Sequence, residues 1–254
     1  MEGMWYYEYS NNNRSSSGLG KEYVKATTKL YSEIEEIWII ARDINELNEV
    51  AKLYPNKKII PISMDLSNMN EFSKIEDKLK QENAKIKLLI NDAGVCSNGL
   101  FEEQDLNKMF TMIDLNCKGT TAMTKIYIPY IEDNATIVVV SSTSAFAPNV
   151  SLSVYCATKS YLSSLCVGLK EELKSKNINV CAVNPGMMKT KMNLESTKSV
   201  SKLPEVNVEQ AAYKSLEAAK KGKGSYTTGA FYKLYRVLCK ILPSSLIVKF
   251  AKLG

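Results

Sequence analysis

Residues 135–159 read "ATIVVVSSTSAFAPNVSLSVYCATK", and they decide the fold. The apolar run at 135–142 is short, β-branched and free of polar alternation, which predicts a strand buried on both faces. From 153 to 175 the spacing becomes that of a helix. A buried strand leading into such a helix is half of a βαβ unit, and the same alternation extends both ways. Upstream, "EIWIIA" (36–41), "KIIPISM" (58–64) and "IKLLIN" (86–91) predict strands, with helices at 45–54, 69–83 and about 103–130. Downstream, "INVCAVNP" (178–185) predicts a strand and 207–221 a helix. The expected fold is α/β, a doubly wound parallel sheet in three α/β/α layers with right-handed crossovers. The polar stretch 187–206 is expected to be a long loop over a site.

A chain of 254 residues that is 45% hydrophobic fits one good-sized domain. The net charge of +6 is mild and spread out, so a solvated surface is expected and no nucleic-acid partner. Of six cysteines none forms a CxxC pair, which fits reduced thiols in a cytoplasmic protein. Residues 1–10 lack the basic start and aliphatic run of a signal peptide, and no apolar stretch is long enough to span a bilayer. The segment 231–254 is basic, amphipathic and interrupted by Pro243. It is expected to pack on the same domain or on a second subunit, with contact to a membrane surface as the alternative.

The chain has no histidine. That excludes a Ser-His-Asp triad, a Cys-His pair and His-based zinc sites, and leaves acid–base chemistry to Tyr, Lys, Asp, Glu or Cys. Tyr155 and Lys159 are four apart and share a helix face. Tyr54 and Lys58 have the same spacing, so context decides. Ser141 and Ser142 end the strand before the Tyr155 helix, and open α/β sheets carry their sites at strand C-termini.

Several motifs stand in order around this pair: "SSGLG" at 16–20, "MDL" at 64–66, "NDAG" at 91–94, Asn116 in "IDLNCKG", Ser142 in "VVVSSTSA", "YCATK" at 155–159 and "NPGMMKT" at 184–190. In kind, order and spacing they resemble the classical short-chain dehydrogenase/reductase family, over about residues 16–230. The resemblance implies a Rossmann-like domain over 16–230 that moves a hydride between NADP(H) or NAD(H) and a carbonyl or secondary alcohol. Tyr155 would be the acid–base residue. A phenol titrates near pH 10, and the Lys159 ammonium one turn on would pull that value down. Lys159 would also bind the nicotinamide ribose, Ser142 would hold the substrate oxygen, and Asn116 would anchor a proton-relaying water. Ser17, Gly18, Leu19 and Gly20 would cradle the pyrophosphate. Asp65 and Leu66 would flank the adenine, and Asn91, Ala93 and Gly94 would line the ribose side. Pro185, Gly186, Met188 and Thr190 would fix the nicotinamide end. Asp92 departs from the family's usual Asn and adds a negative charge. Family members usually form dimers or tetramers, so the expected partners are a small carbonyl or alcohol substrate and further copies of the chain, built through 103–130 and 153–175.

The end of the second strand bears on cofactor choice. An acidic residue there binds a ribose 2′-hydroxyl, whereas a basic one accepts a 2′-phosphate. Ala41 is followed by Arg42, whose planar fork suits phosphate, so NADP(H) is expected over NAD(H). The alternative is that Arg42 begins a loop and pairs with Asp43 or Glu46.

The glycine-rich turn is broken. The family pattern Thr-Gly-x-x-x-Gly-x-Gly meets Asn13 and Arg14 at its first two positions, and "EYSNNN" (8–13) stands where an apolar strand belongs. A side chain in place of the first Gly intrudes on the cofactor. The failure is abrupt and points to the reading frame. If 7–15 were encoded tat gaa tat agc aat aat aac agg agc, a one-base shift reads Met-Asn-Ile-Ala-Ile-Ile-Thr-Gly-Ala. Joined to Ser16 it restores "MNIAIITGASSGLG", a strand and the complete motif. Residues 1–15 are therefore expected to be irregular or out of frame, which reading the gene tests: a tcn codon for Ser10 or Ser15 contradicts the shift. As written, the chain has a competing reading as an impaired or silent nucleotide-binding homologue that serves as a binding or scaffold protein.

Overall fold

A computed structural model describes residues 2–7, 18–188 and 203–252. Its sheet has seven strands in chain order: β1 (Glu2–Tyr7), β2 (Glu36–Ala41), β3 (Lys58–Ser63), β4 (Lys85–Asn91), β5 (Ile131–Val140), β6 (Asn179–Asn184) and β7 (Ser225–Thr227). Across the sheet they run β3-β2-β1-β4-β5-β6-β7, all parallel. The order reverses between β1 and β4, the switch point at which such sheets bind ligands.

The strand interiors are apolar on both sides because both faces are covered. Trp38, Ile40, Leu89, Ile137, Val139, Val180 and Ala182 face one core. Ile37, Ile39, Leu88, Ile90, Val138, Val140, Cys181 and Val183 alternate with them into the other. The first layer holds α3 (Phe72–Gln81), α4 (Leu106–Ile113), α5 (Thr120–Tyr127) and α6 (Ser153–Glu172). The second holds α1 (Leu19–Leu30), α2 (Ile44–Lys52) and α7 (Val208–Lys220). The expected three-layer α/β/α fold is present. Local signals set the helix starts: the side chains of Asp43, Asp105 and Asn207 accept from backbone N–H groups of the first turns of α2, α4 and α7. The tail forms α8 (Ala230–Ile241) and α9 (Ser244–Lys252), separated at Pro243 as its missing N–H and fixed φ require.

The first strand departs from the sequence reading. Residues 1–15 were expected to be irregular or out of frame, with the strand's place at 8–13. Instead Glu2–Tyr7 fills the central position, with Trp5 in register with Trp38 and Leu89. The gap between β2 and β4 presents unpaired backbone groups along both sides, and any extended segment satisfies them. "MWYY" (4–7) has the stronger strand preference, whereas "EYSNNN" is rich in residues that favour turns. Arg14 and Ser17 lie outside the described residues.

Candidate active site

Ser142, Tyr155, Lys159 and Asn116 come together at the C-terminal ends of the central strands. Ser142 follows β5 and caps a short 3₁₀ turn, its Oγ accepting from the Ser144 N–H at 3.1 Å. Tyr155 opens α6 and its hydroxyl is hydrogen-bonded to Ser142. One turn on, the Lys159 ammonium lies 5.8 Å from the Tyr155 ring centre and donates to the Val140 carbonyl at 3.0 Å. Both side chains are buried.

Asn116 sits in a π-helical turn, Asp114–Gly119, between α4 and α5. Such insertions re-aim a side chain and are frequent at functional sites. Its Oδ1 accepts from the Val95 N–H at 2.8 Å. Its Nδ2 donates to the Val95 carbonyl at 3.0 Å and to Thr158 Oγ1 at 3.1 Å. The side chain thus ties the loop after β4 to α6, and this use of it was not expected from the sequence. Thr158, between Tyr155 and Lys159, is a partner that spacing alone did not single out.

The electrostatics correct one expectation. Burial raises the Tyr155 pKa well above its ordinary value; the Cys96 thiol adds to this and the Ser142 hydrogen bond opposes it. Burial outweighs the anticipated lowering by Lys159, whose ammonium donates to the Val140 carbonyl. Burial lowers Lys159 itself to about 8, while the charge of Asp92 favours its protonated form. This gives Asp92 a physical role: it retains a cation in a desolvated place. Burial pushes the nearby Cys96 thiol up to about 12, so it is not a thiolate nucleophile.

The lowered Lys159 value has a stability consequence. Between about pH 8 and the ordinary 10.5, the unfolded amine binds a proton that the folded one releases, so stability from this group rises with pH. Below pH 8 both states are charged and the fold bears the full desolvation cost. Lys159→Met is therefore expected to be more stable than the wild type at pH 7, by about 1–3 kcal/mol, with the difference shrinking as pH approaches 10.5. Urea midpoints across that range check it.

The other expected residues divide. Gly94 stands against the site: a Cβ there would lie 3.1 Å from Lys159 Nζ and 3.2 Å from Asn116 Oδ1. Asn91, at the end of β4, donates to Thr124 Oγ1 at 3.0 Å, while its buried Oδ1 has no partner among the described residues. An unmatched buried acceptor at the switch point suits a hydroxyl-bearing ligand. Gly18 caps α1 without a side chain, and the helix N-terminus at Leu19 and Gly20 carries the partial positive charge that suits a pyrophosphate. Arg42 is exposed immediately after β2. Asp65 is half-buried and accepts from the N–H and hydroxyl of Ser67. Leu66 and Ala93 pack their side chains into the core, which leaves their backbone to meet a ligand. These donors and acceptors fit a dinucleotide.

Pro185, Gly186 and Met188 follow β6; Thr190 lies outside the described residues. Gly186 donates to Thr228 Oγ1 at 2.8 Å, and a Cβ on it would stand 2.1 Å from the Tyr232 ring. Tyr232, from α8, accepts from the Met187 N–H at 3.0 Å and donates to the Pro204 carbonyl at 2.8 Å. It was not predicted. It is 46 residues from Gly186, and no local pattern links the two.

A sequence profile described as short chain dehydrogenase matches residues 15–201. A protein described as NADP-dependent 3-hydroxy acid dehydrogenase, from Schizosaccharomyces pombe, is 31% identical over 187 residues, covering 71% of this chain and 71% of its own. A 3-oxoacyl-(acyl-carrier-protein) reductase from Thermotoga maritima is 29% identical over 198 residues, 75% of each chain. In fold, a short-chain dehydrogenase from Sphingobium yanoikuyae, solved with NADPH, superposes with a TM-score of 0.75 at 22% identity over 93% of this chain and 94% of its own.

Proposed function

Because the chain belongs to the short chain dehydrogenase family, we propose that it is an NADP(H)-dependent oxidoreductase interconverting a carbonyl group and a secondary alcohol. The observation that carries this reading is the Ser142–Tyr155–Lys159 cluster, its Tyr155 and Lys159 buried, beside Gly94 and Asn116. A bound nicotinamide supplies or takes up the hydride. Tyr155 donates its hydroxyl proton to the substrate oxygen in reduction and recovers it in oxidation. Its raised pKa keeps that proton in place at neutral pH, which suits the reducing direction. Ser142 presents a hydroxyl to the same oxygen. Lys159 brings positive charge close to the site as Tyr155 gives up its proton, and Asp92 favours that charge. Since the Asn116 side chain is engaged by Val95 and Thr158, its carbonyl is the group left to anchor a relay water.

Arg42 supports NADP(H) over NAD(H), in line with the NADP-dependent relative. Arg42→Ala is expected to weaken NADPH binding by about tenfold or more and to leave NADH binding nearly unchanged. Titration of both cofactors against both proteins checks it. Self-association through α4 and α6 is part of the reading, since Phe110, Ile113, Tyr161 and Val167 are exposed there. The test of function is NADPH consumption with a panel of ketones, starting from 3-oxo acids and their thioesters, the chemistry for which the two relatives are named. Consumption with at least one class is expected. Tight NADPH binding without turnover of any of them favours the silent-homologue reading.

A further inference from the structure

The helix α8 has two apolar faces, and among the described residues only one meets the domain. Inward, Tyr232 covers Gly186, the Tyr235 ring centre lies 6.4 Å from that of Phe146, and Arg236 lies over Phe146 while donating to Thr227 Oγ1. Outward, Phe231, Leu234, Val237, Leu238 and Ile241 are 47, 60, 51, 42 and 72% exposed. At 100° per residue these five fall within about a third of the helix circumference, opposite the packed face. Leu246 of α9 is exposed as well, while Ile247 beside it is buried. A contiguous exposed stripe of this kind marks an interaction surface.

Charge identifies the occupant. From Ala230 to Gly254 the chain has five cations, Lys233, Arg236, Lys240, Lys249 and Lys252, and no acidic residue. Lys233, Lys240 and Lys249 are exposed, and the first two flank the stripe along one side. A second copy docking symmetrically would oppose cation to cation, since a two-fold interface brings the same patch against itself. Residues 189–202 carry four lysines against one glutamate and offer no complementary charge. Among the described residues no helix is long and apolar enough to cross a membrane. An apolar stripe edged by lysines suits a helix lying in the headgroup region of an anionic bilayer, its apolar side in the acyl boundary and its lysines on lipid phosphates.

We infer that α8 and α9 form a peripheral membrane-binding surface that takes anionic phospholipid. Through Phe146 and Gly186 this surface adjoins the site, on the side of Ser142 and Pro185. The test is co-sedimentation of the full chain with vesicles of phosphatidylcholine alone and of phosphatidylcholine with one-third phosphatidylglycerol. Binding is expected to the second and not the first, and to fall as salt is raised. The double substitution Leu234→Glu with Ile241→Glu is expected to reduce it more than about tenfold without lowering the melting temperature, since both side chains point away from the domain. Lys233→Glu with Lys240→Glu is expected to remove the preference for anionic lipid. Equal binding to both vesicles, or to neither, overturns the inference. So does loss of oligomer mass by light scattering in the Glu variants without any vesicle binding by the wild type, which would assign the stripe to a second copy.

Discussion

Tyr155→Phe is expected to lower turnover by about 10²–10⁴-fold while leaving NADPH binding and the fold nearly intact. The substitution removes one oxygen. The ring stays in the core that Tyr155 shares with Leu162 and Val95, and the lost hydrogen bond to Ser142 is worth about 1 kcal/mol. Among the described residues no replacement acid stands beside Tyr155. The chain has no histidine, burial holds the Cys96 thiol protonated, and the Lys159 ammonium is directed to the Val140 carbonyl. Turnover measured beside NADPH binding separates chemistry from cofactor capture. A loss below about tenfold would place the acid elsewhere. Ser142→Ala keeps Tyr155 but removes the second hydroxyl, so it should show a smaller loss.

Replacing residues 1–15 with the shifted-frame sequence, so that the chain begins "MNIAIITGASSGLG", is expected to strengthen NADPH binding by about ten- to a hundredfold. The figure corresponds to the ~1–3 kcal/mol lost when a side chain is forced into a closely packed place. Two observations motivate it. The family profile begins its match at Ser15, where the proposed break lies. The central strand position is held by Glu2–Tyr7, so eleven residues, 8–18, separate that strand from α1. The rebuilt chain places an Ile-rich strand directly before the glycine turn. The single change Arg14→Gly is expected to recover only part of the gain, because it leaves "EYSNNN" in place. Equal affinities for all three chains would show that Arg14 does not intrude on the cofactor.

The interior strands were legible because burial on both faces leaves only apolar residues in short runs, and β2, β4 and β6 follow those runs to within a residue or so. β7 escaped notice: three residues, Ser225–Thr227, do not establish a period. β1 was displaced because the sequence where a strand belongs is polar, and a better strand former upstream took the sheet position. The π-helical turn at Asp114–Gly119 lies inside a continuous helical pattern, and an inserted residue leaves no mark on a 3.6-residue period. Motifs brought Tyr155, Lys159 and Ser142 to one place. They did not reveal that the Asn116 side chain is consumed by Val95 and Thr158, that Leu66 faces the core, or that Tyr232 covers Gly186. Each of these depends on contacts distant in sequence. The direction of the Tyr155 shift also needed the structure, since burial outweighs a neighbouring cation whose own proton points to another acceptor.

The most direct test of the account is a thermal-shift titration with NADPH and NADH, run on the chain as written and on the rebuilt chain. At ~100 times its dissociation constant, NADPH is expected to raise the melting temperature of the rebuilt chain by about 5–10 °C, more than NADH at the same concentration. The chain as written should show the same preference at higher ligand concentration. Absence of a shift with either cofactor in both chains would contradict the assignment of this fold to nicotinamide chemistry.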